Sequence, residues 1–150
     1  KYYTFLSKEE IESLENEMKT APHLRTAQKA LAREVVILVH GEEAFKQALR
    51  ITNTLFSGNI KDLNSKDIGI GFKDVPSLEV KEDINIVDAL ANVRAAVSKR
   101  EAREFIKNGA VGINGDIIKD IEYILSKGNA IDEQFTVIRR GKKNYFLIKH

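Results

Sequence analysis

The segment 98–120 constrains the fold more than any other part of the chain. Ser98 and Glu101 have the spacing of a capping box, so we expect a helix to begin at Lys99. It should end at Asn108-Gly109, because glycine adopts the left-handed conformation that closes helices. On a helical projection one side is apolar (Ala102, Phe105, Ile106) and another is basic, within an arc of about 100° (Lys99, Arg100, Arg103, Lys107). The pattern predicts a helix with one buried face and one positive face.

Two hairpins are predicted after this helix. Asn114-Gly115 stands between apolar residues and is a strong signal for a tight turn with positive backbone angles. Nearer the C-terminus, the segments 135–138 and 145–148 read as strands joined by a turn over 139–144, whose tip carries Arg139, Arg140, Lys142 and Lys143. Clustered cations repel one another, whereas a polyanion neutralises them and releases counterions. We therefore favour phosphate contact over mere solubility for this tip.

A basic helix face alone is as readily explained by solvation, but the order of motifs adds a resemblance. The chain is similar to the S-four RNA-binding domain, named after ribosomal small-subunit protein four, in Ser98-Lys99-Arg100-Glu101-Ala102-Arg103, Ile106-Lys107-Asn108-Gly109-Ala110-Val111, Ile113-Asn114-Gly115 and Lys119-Asp120. In that family the basic helix and the adjacent loop lie against the RNA backbone. The resemblance implies the same role for Lys99, Arg100, Arg103 and Lys107.

The flanking sequence resembles the C-terminal part of bacterial tyrosyl-tRNA synthetases. The matching segments are Tyr3-Thr4-Phe5-Leu6-Ser7, Ala27-Gln28-Lys29-Ala30-Leu31-Ala32, Val39-His40-Gly41-Glu42-Glu43-Ala44, Arg50-Ile51-Thr52, Leu55-Phe56-Ser57-Gly58 and Arg139-Arg140-Gly141-Lys142-Lys143-Asn144-Tyr145. This resemblance implies an α+β fold: a small helical bundle that binds the anticodon arm, followed by an S-four-like α/β domain of two packed helices with short strands and hairpins. The implied partner is tyrosine tRNA, recognised through its anticodon arm and long variable arm.

The same resemblance predicts that this chain is not itself catalytic. The family's tyrosine-activating domain carries a His-Ile-Gly-His type motif and a Lys-Met-Ser-Lys-Ser type loop, and neither is present in the sequence. The chain begins with Lys1 instead of Met, which we interpret as an excised fragment. We expect no catalytic residues and no cofactor here, with ATP and magnesium implied for the full-length enzyme. That enzyme is expected to be a cytoplasmic homodimer joined through its catalytic domain.

We predict three regions: a helical domain over 1–58, a linker over 59–82 and the S-four-like domain over 83–150. Apolar periodicity predicts helices over 8–20, from Leu24 to His40, and from Glu42 to before Gly58. Scattered glycines and isolated apolar residues indicate the linker, with one short helix after Ser65. Residues 1–82 hold 12 Lys and Arg against 13 Asp and Glu, and residues 83–150 hold 12 against 9. The positive balance therefore lies in the second half.

Several function classes are excluded or left as alternatives. The absence of cysteine excludes disulfides and thiolate metal sites, and His23, His40 and His150 are too scattered for metal ligation. There is no transmembrane run or signal-peptide pattern. Open alternatives are a free-standing ribosome- or RNA-associated S-four protein, a pseudouridine synthase with an S-four domain, and an interaction domain for an acidic protein. Asn114, Asn144 and Tyr145 are lower-ranked RNA contacts, and Arg25, Lys29 and Arg33 are better explained as a solvated face.

Overall fold

The computed structural model describes residues 5–57 and 59–150, so Tyr3, Thr4 and Gly58 of the matching segments lie outside the described residues. Helices dominate the first half, and short strands alternate with helices in the second. The helices are α1 (Lys8–Thr20), α2 (Thr26–His40), α3 (Glu42–Ser57), α4 (Ser65–Gly71), α5 (Ile86–Asn92) and α6 (Lys99–Lys107). The strands are β1 (Ser77–Glu79), β2 (Ile84–Asn85), β3 (Val111–Ile113), β4 (Asp116–Ile117), β5 (Ile124–Leu125), β6 (Phe135–Arg140) and β7 (Asn144–Lys149). The α+β fold class is confirmed.

The first three helices begin and end close to the predicted positions. At α1 the Ser7 N–H donates to Glu10 Oε2 at 2.8 Å, and the Glu10 N–H donates to Ser7 Oγ at 3.2 Å, which together form a capping box. α2 starts later than predicted, because Pro22–Leu24 forms a separate 3₁₀ turn before it. No helix in the described part of the chain is long and apolar enough to cross a membrane.

The contacts divide the chain into two compact units, 1–50 and 51–150. In the first unit α1 packs against α2, yet no residue from 5 to 50 is buried. Met18 and Leu31, which the periodicity places on inward faces, keep 45% and 46% of their surface exposed. Two short amphipathic helices have too little surface to enclose each other's apolar side chains, so these faces stay more exposed than the sequence predicts.

The second unit is built on a five-stranded sheet of order β1-β7-β6-β3-β4. β1 pairs with β7 in parallel, the other neighbours are antiparallel, and β2 and β5 form a separate antiparallel pair. Because side chains alternate along a strand, the sheet buries both faces. On one face Ile138 and Ile148 pack with Leu90 of α5 and Ile106 of α6. On the other, Val137 and Leu147 pack with a second layer of residues from before the sheet (Ile51, Ile60, Leu63, Ile68, Phe72).

The segment 59–82, predicted to be a linker, includes residues that pack onto the sheet. Its short helix does begin at Ser65, where the Asn64 side chain caps the Asp67 N–H at 2.9 Å. However, Ile68 is fully buried on the sheet, and the Ser65 N–H donates to Asp132 Oδ2 at 2.6 Å. The apolar residues of this segment are not spaced with a helix or strand period, so the sequence gives no sign that they share a face. In the structure most of them pack onto the same side of the sheet. The other predicted boundaries stay predictions.

Candidate nucleic-acid interface

Helix α6 is fixed at both ends by its own sequence. Ser98 Oγ accepts from the Glu101 N–H at 3.2 Å. Glu101 Oε2 accepts from the Val97 N–H at 2.6 Å, one residue earlier than in a standard capping box. The helix ends at Asn108, and Gly109 follows with φ of 67°. Ala102 and Ile106 are buried, so the basic face points outward.

The four cations of α6 are exposed and differ in their partners. Lys99 Nζ lies 2.6 Å from Asp88 Oδ1, and Arg100 Nε lies 3.6 Å from Glu104 Oε1. Arg103 and Lys107 make no ion pair or hydrogen bond with any residue that the structure describes. Exposed ion pairs contribute about 0–1 kcal/mol, so a phosphate can replace either carboxylate at low cost. The structure thus brings the four predicted cations to one accessible helix.

The second predicted cation cluster is only partly at a turn. The β6–β7 ladder continues to the Arg140–Asn144 pair, so the turn consists of Gly141, Lys142 and Lys143. Placing Arg139 and Arg140 at the tip was therefore wrong: both belong to β6. Successive strand residues face opposite sides, which separates the two guanidinium groups.

Arg139 lies on the same side of the sheet as Gly112. A Cβ at Gly112 would lie 3.7 Å from Arg139 Nε and 3.9 Å from Arg139 Cβ, ordinary van der Waals distances that show the two residues are neighbours on this face. Tyr145 stands opposite Arg139 in the ladder and packs edge-on against Phe72, with 5.7 Å between ring centroids. Tyr145 is half-buried, and this packing accounts for its position.

The Arg140 side chain lies on the face of the sheet that α5 and α6 cover, and protein groups already bind it. Its Nη1 donates to the Ala95 carbonyl at 2.5 Å. Its guanidinium carbon lies 5.5 Å from the centroid of Phe105 and 5.9 Å from that of Phe146, within cation–π range. Arg140 thereby ties the loop between α5 and α6 to the sheet. No local sequence pattern could predict these contacts. Ala95 and Phe105 lie 45 and 35 positions before Arg140 in the sequence, and Phe146 lies 6 positions after it.

Three exposed or cationic residues beside the basic helix were not among the site residues predicted from the sequence. Arg94 is exposed and has φ of 60°, and Val97 is 96% exposed just before the cap of α6. A non-glycine residue in the left-handed region costs about 1–2 kcal/mol. A third, Lys119, lies over the end of α6: its Cε is 3.3 Å from where a Cβ of Gly109 would stand. The sequence did offer a signal for Lys119, because Lys119-Asp120 is one of the segments that resemble the S-four domain.

Other candidate residues have structural roles or remain at the surface. Asn114 is buried, donates from Nδ2 to the Asn129 carbonyl at 3.1 Å, and accepts at Oδ1 from the Val137 N–H at 2.8 Å. Asn144 is exposed and starts β7. In the described ranges 5–57 and 59–150 no group of three or more His, Cys, Asp or Glu side chains could hold a metal ion.

Comparisons with known proteins show which family the chain resembles. Residues 67–148 match the family model for the tyrosine-tRNA ligase SYY-like C-terminal domain, and residues 1–57 match that for class I tRNA synthetases (W and Y). The chain is 55% identical over its whole length to a tyrosine-tRNA ligase of Bacillus velezensis and 52% identical to that of Staphylococcus carnosus.

The chain is also similar to a solved structure. The solution structure of a tyrosyl-tRNA synthetase C-terminal domain superposes with a TM-score of 0.52 and 43% identity, over 61% of this chain and 93% of that one. The chain spans only 36% of the length of each of the two ligases named above. The chain belongs to the tyrosyl-tRNA synthetase family, in which it corresponds to the C-terminal region.

Proposed function

We propose that this chain is the tRNA-binding part of a tyrosine-tRNA ligase and holds tyrosine tRNA for aminoacylation by a catalytic domain outside the sequence. The observation that carries the proposal is the exposed basic face of α6, on which Arg103 and Lys107 have no protein partner among the described residues. Unpaired cations on a rigid helix are available to phosphates without first breaking an ion pair.

The contacts divide into three groups. Lys99, Arg100, Arg103 and Lys107 approach the RNA backbone from α6, Lys142 and Lys143 from the β6–β7 turn, and Arg139 from the opposite side of the sheet. Arg140 supports the interface from within, because its guanidinium is bound to Ala95 and lies over two rings. Such contacts orient a structured RNA more than they identify bases. The chain makes or breaks no bond in this account.

The proposal for the whole protein extends the family resemblance of the sequence. ATP and magnesium act in the catalytic domain, and the full-length protein is a cytoplasmic homodimer joined through that domain. Specificity for tyrosine tRNA arises from the shape of the anticodon arm and the long variable arm. The two units over 1–50 and 51–150 supply the two corresponding surfaces.

The test is titration of the chain with tyrosine tRNA at several salt concentrations. Each neutralised phosphate contributes about −0.7 to −0.9 to the slope of log K against log salt, so the seven proposed contacts predict a slope of about −5 to −6. The double variant Arg100→Glu/Arg103→Glu should weaken binding at least about tenfold and flatten the slope by about 2.

A matched control carries the same change in charge elsewhere in the second unit. Lys66 on α4 and Lys73 just after it are exposed and lie on the layer that covers the other sheet face. Arg139 is the one proposed contact on that side of the sheet, so Lys66→Glu/Lys73→Glu should lose only about threefold in affinity for tyrosine tRNA, clearly less than Arg100→Glu/Arg103→Glu. Equal losses in both double variants, or no binding by the unmodified chain, would contradict the proposed interface.

A further inference from the structure

The loop between α5 and α6 is rigid although it has no regular secondary structure. Val93, Ala95 and Ala96 are buried within it. The Ala96 N–H donates to the Leu90 carbonyl at 3.0 Å, and the Ala95 carbonyl accepts from Arg140 at 2.5 Å. A loop held by buried side chains and by hydrogen bonds on both sides presents its remaining side chains in fixed positions.

Those remaining side chains are Arg94 and Val97. The alternation of buried and exposed positions leaves both projecting into solvent, and Val97 keeps 96% of its surface exposed. Val97 precedes the N-cap of α6 directly, and Lys99 and Arg100 follow within three residues. An apolar side chain is therefore presented at the edge of a basic surface.

Arg94 occupies a backbone position that favours glycine. Its φ of 60° lies in the left-handed region, where a side chain is disfavoured. Its guanidinium makes no ion pair or hydrogen bond within 5–57 and 59–150 that would compensate. A residue in a disfavoured backbone conformation whose side chain makes no stabilising contact is a candidate for a functional role.

Side chains add positive charge at this end of α6. Two of the backbone donors here already have partners, because the Val97 N–H donates to the Glu101 carboxylate and the Glu101 N–H donates to Ser98 Oγ. Arg94, Lys99 and Arg100 are all exposed around this point.

We propose that Arg94 and Val97 form a nucleotide-binding contact that extends the basic face of α6. Val97 packs against the face of an unpaired base, while Arg94 pairs with a phosphate of the same strand. The faces of RNA bases are open to side chains only where the bases are unpaired and unstacked, and arginine forms bidentate bonds with phosphate. The inference rests on the proposed RNA-binding function and adds to it a local preference for an unpaired nucleotide.

The test uses two single variants that are compatible with folding. Arg94→Gly removes the cation and suits the left-handed backbone, so its Tm should equal or exceed that of the unmodified chain. Val97→Ser removes the apolar group at a site with almost no packing. Ile70→Ser is the matched control, because Ile70 is an exposed apolar residue on α4, away from the basic helix.

Each variant is titrated with tyrosine tRNA and with a fully paired RNA duplex of about 20 base pairs. Arg94→Gly should weaken tRNA binding about fivefold and flatten the salt slope by about 0.7–0.9, the share of one phosphate. Val97→Ser should weaken tRNA binding about threefold with an unchanged slope, and should leave duplex binding unaltered. Ile70→Ser should change neither.

The outcomes separate this inference from the function on which it rests. If Arg94→Gly and Val97→Ser both bind tRNA like the unmodified chain while Arg100→Glu/Arg103→Glu loses affinity, the inference is wrong and the RNA-binding function stands. If Val97→Ser weakens duplex binding equally, or the slope of Arg94→Gly is unchanged, the assigned contact is wrong. No binding of tRNA by the unmodified chain overturns both.

Discussion

Asn114 combines the two demands that the β3–β4 turn makes on one residue. Its φ is 49°, a region that asparagine tolerates better than most residues. Its amide also joins the turn to two other segments, through the Asn129 carbonyl and the Val137 N–H. It is 8% exposed, and the Val137 N–H that it binds is buried.

Asn114→Ala should therefore lower the free energy of unfolding by about 2–4 kcal/mol. The alanine leaves the buried Val137 N–H without this partner, removes the bond to the Asn129 carbonyl and is strained at positive φ. Urea denaturation measures the change. Asn108→Ala is the control, because Asn108 is exposed and its φ is −77°; it should cost less than about 0.5 kcal/mol. Equal effects of the two substitutions would contradict a supporting role for Asn114.

His150 gives the second unit a pH dependence. Burial lowers its pKa below the ordinary 6.5; Asp83 opposes the shift and Lys127 adds to it. Because folding disfavours the protonated ring, the stability associated with this residue is full above about pH 6.5 and decreases as the pH falls through the lowered pKa.

His150→Gln removes this titration and keeps a side chain that can bond Thr136, whose Oγ1 lies 2.9 Å from His150 Nε2. The fall in Tm between pH 7.5 and pH 5.5 should thus be smaller in the variant than in the unmodified chain. An identical fall in both would show that His150 does not contribute.

At the scale of elements, β6 places two neighbouring arginines in different environments. Arg139 lies beside Gly112 and has no partner in the described part of the chain, whereas Arg140 bonds the Ala95 carbonyl and contacts two rings. The strand's alternation decides this division. Arg139 is the one left for the proposed RNA contact, and Arg140 holds the loop that leads into α6.

Arg140→Met should destabilise the chain by about 2 kcal/mol, because it removes a charged hydrogen bond and cation–π contacts at a partly buried site. Arg139→Met should change stability by less than about 0.5 kcal/mol and should weaken binding of tyrosine tRNA. Thermal denaturation and tRNA titration of the two variants give the comparison. A reversed order of stabilities would mean that the two side chains have been assigned to the wrong faces.

Local signals explain what could be predicted of these elements. Ser98, Glu101 and Gly109 define α6, and Asn114-Gly115 defines the β3–β4 turn, because caps and tight turns depend on neighbours in sequence. The anchoring of Arg140, the exposure of Arg94 and Val97 and the packing of 59–82 onto the sheet depend on distant residues. The sequence holds no periodic signal for such contacts.

Across the whole molecule burial is unevenly distributed. Every residue classed as buried lies in the unit 51–150, and none lies between residues 5 and 50. Few buried apolar contacts mean that a helix can open locally without unfolding the rest of the chain. The surfaces predicted to bind the two arms of a tRNA are thus carried by units of different stability.

Hydrogen–deuterium exchange should reveal the difference. Amides of α1 and α2 should exchange at least about tenfold faster than those of β6 and β7, which open only with the second core. Addition of tyrosine tRNA should slow exchange in α6 and in the β6–β7 turn. Equal protection of α1 and β6 in the free chain would contradict the uneven distribution of stability.

The most direct test of the account is competition between tyrosine tRNA and the same tRNA with its long variable arm deleted, for binding to the 150-residue chain. The account predicts at least about tenfold tighter binding of the intact tRNA, because the basic face of α6 and the β6–β7 turn lose phosphate contacts when the arm is removed. Equal affinity for the two RNAs would contradict recognition of tyrosine tRNA by this surface.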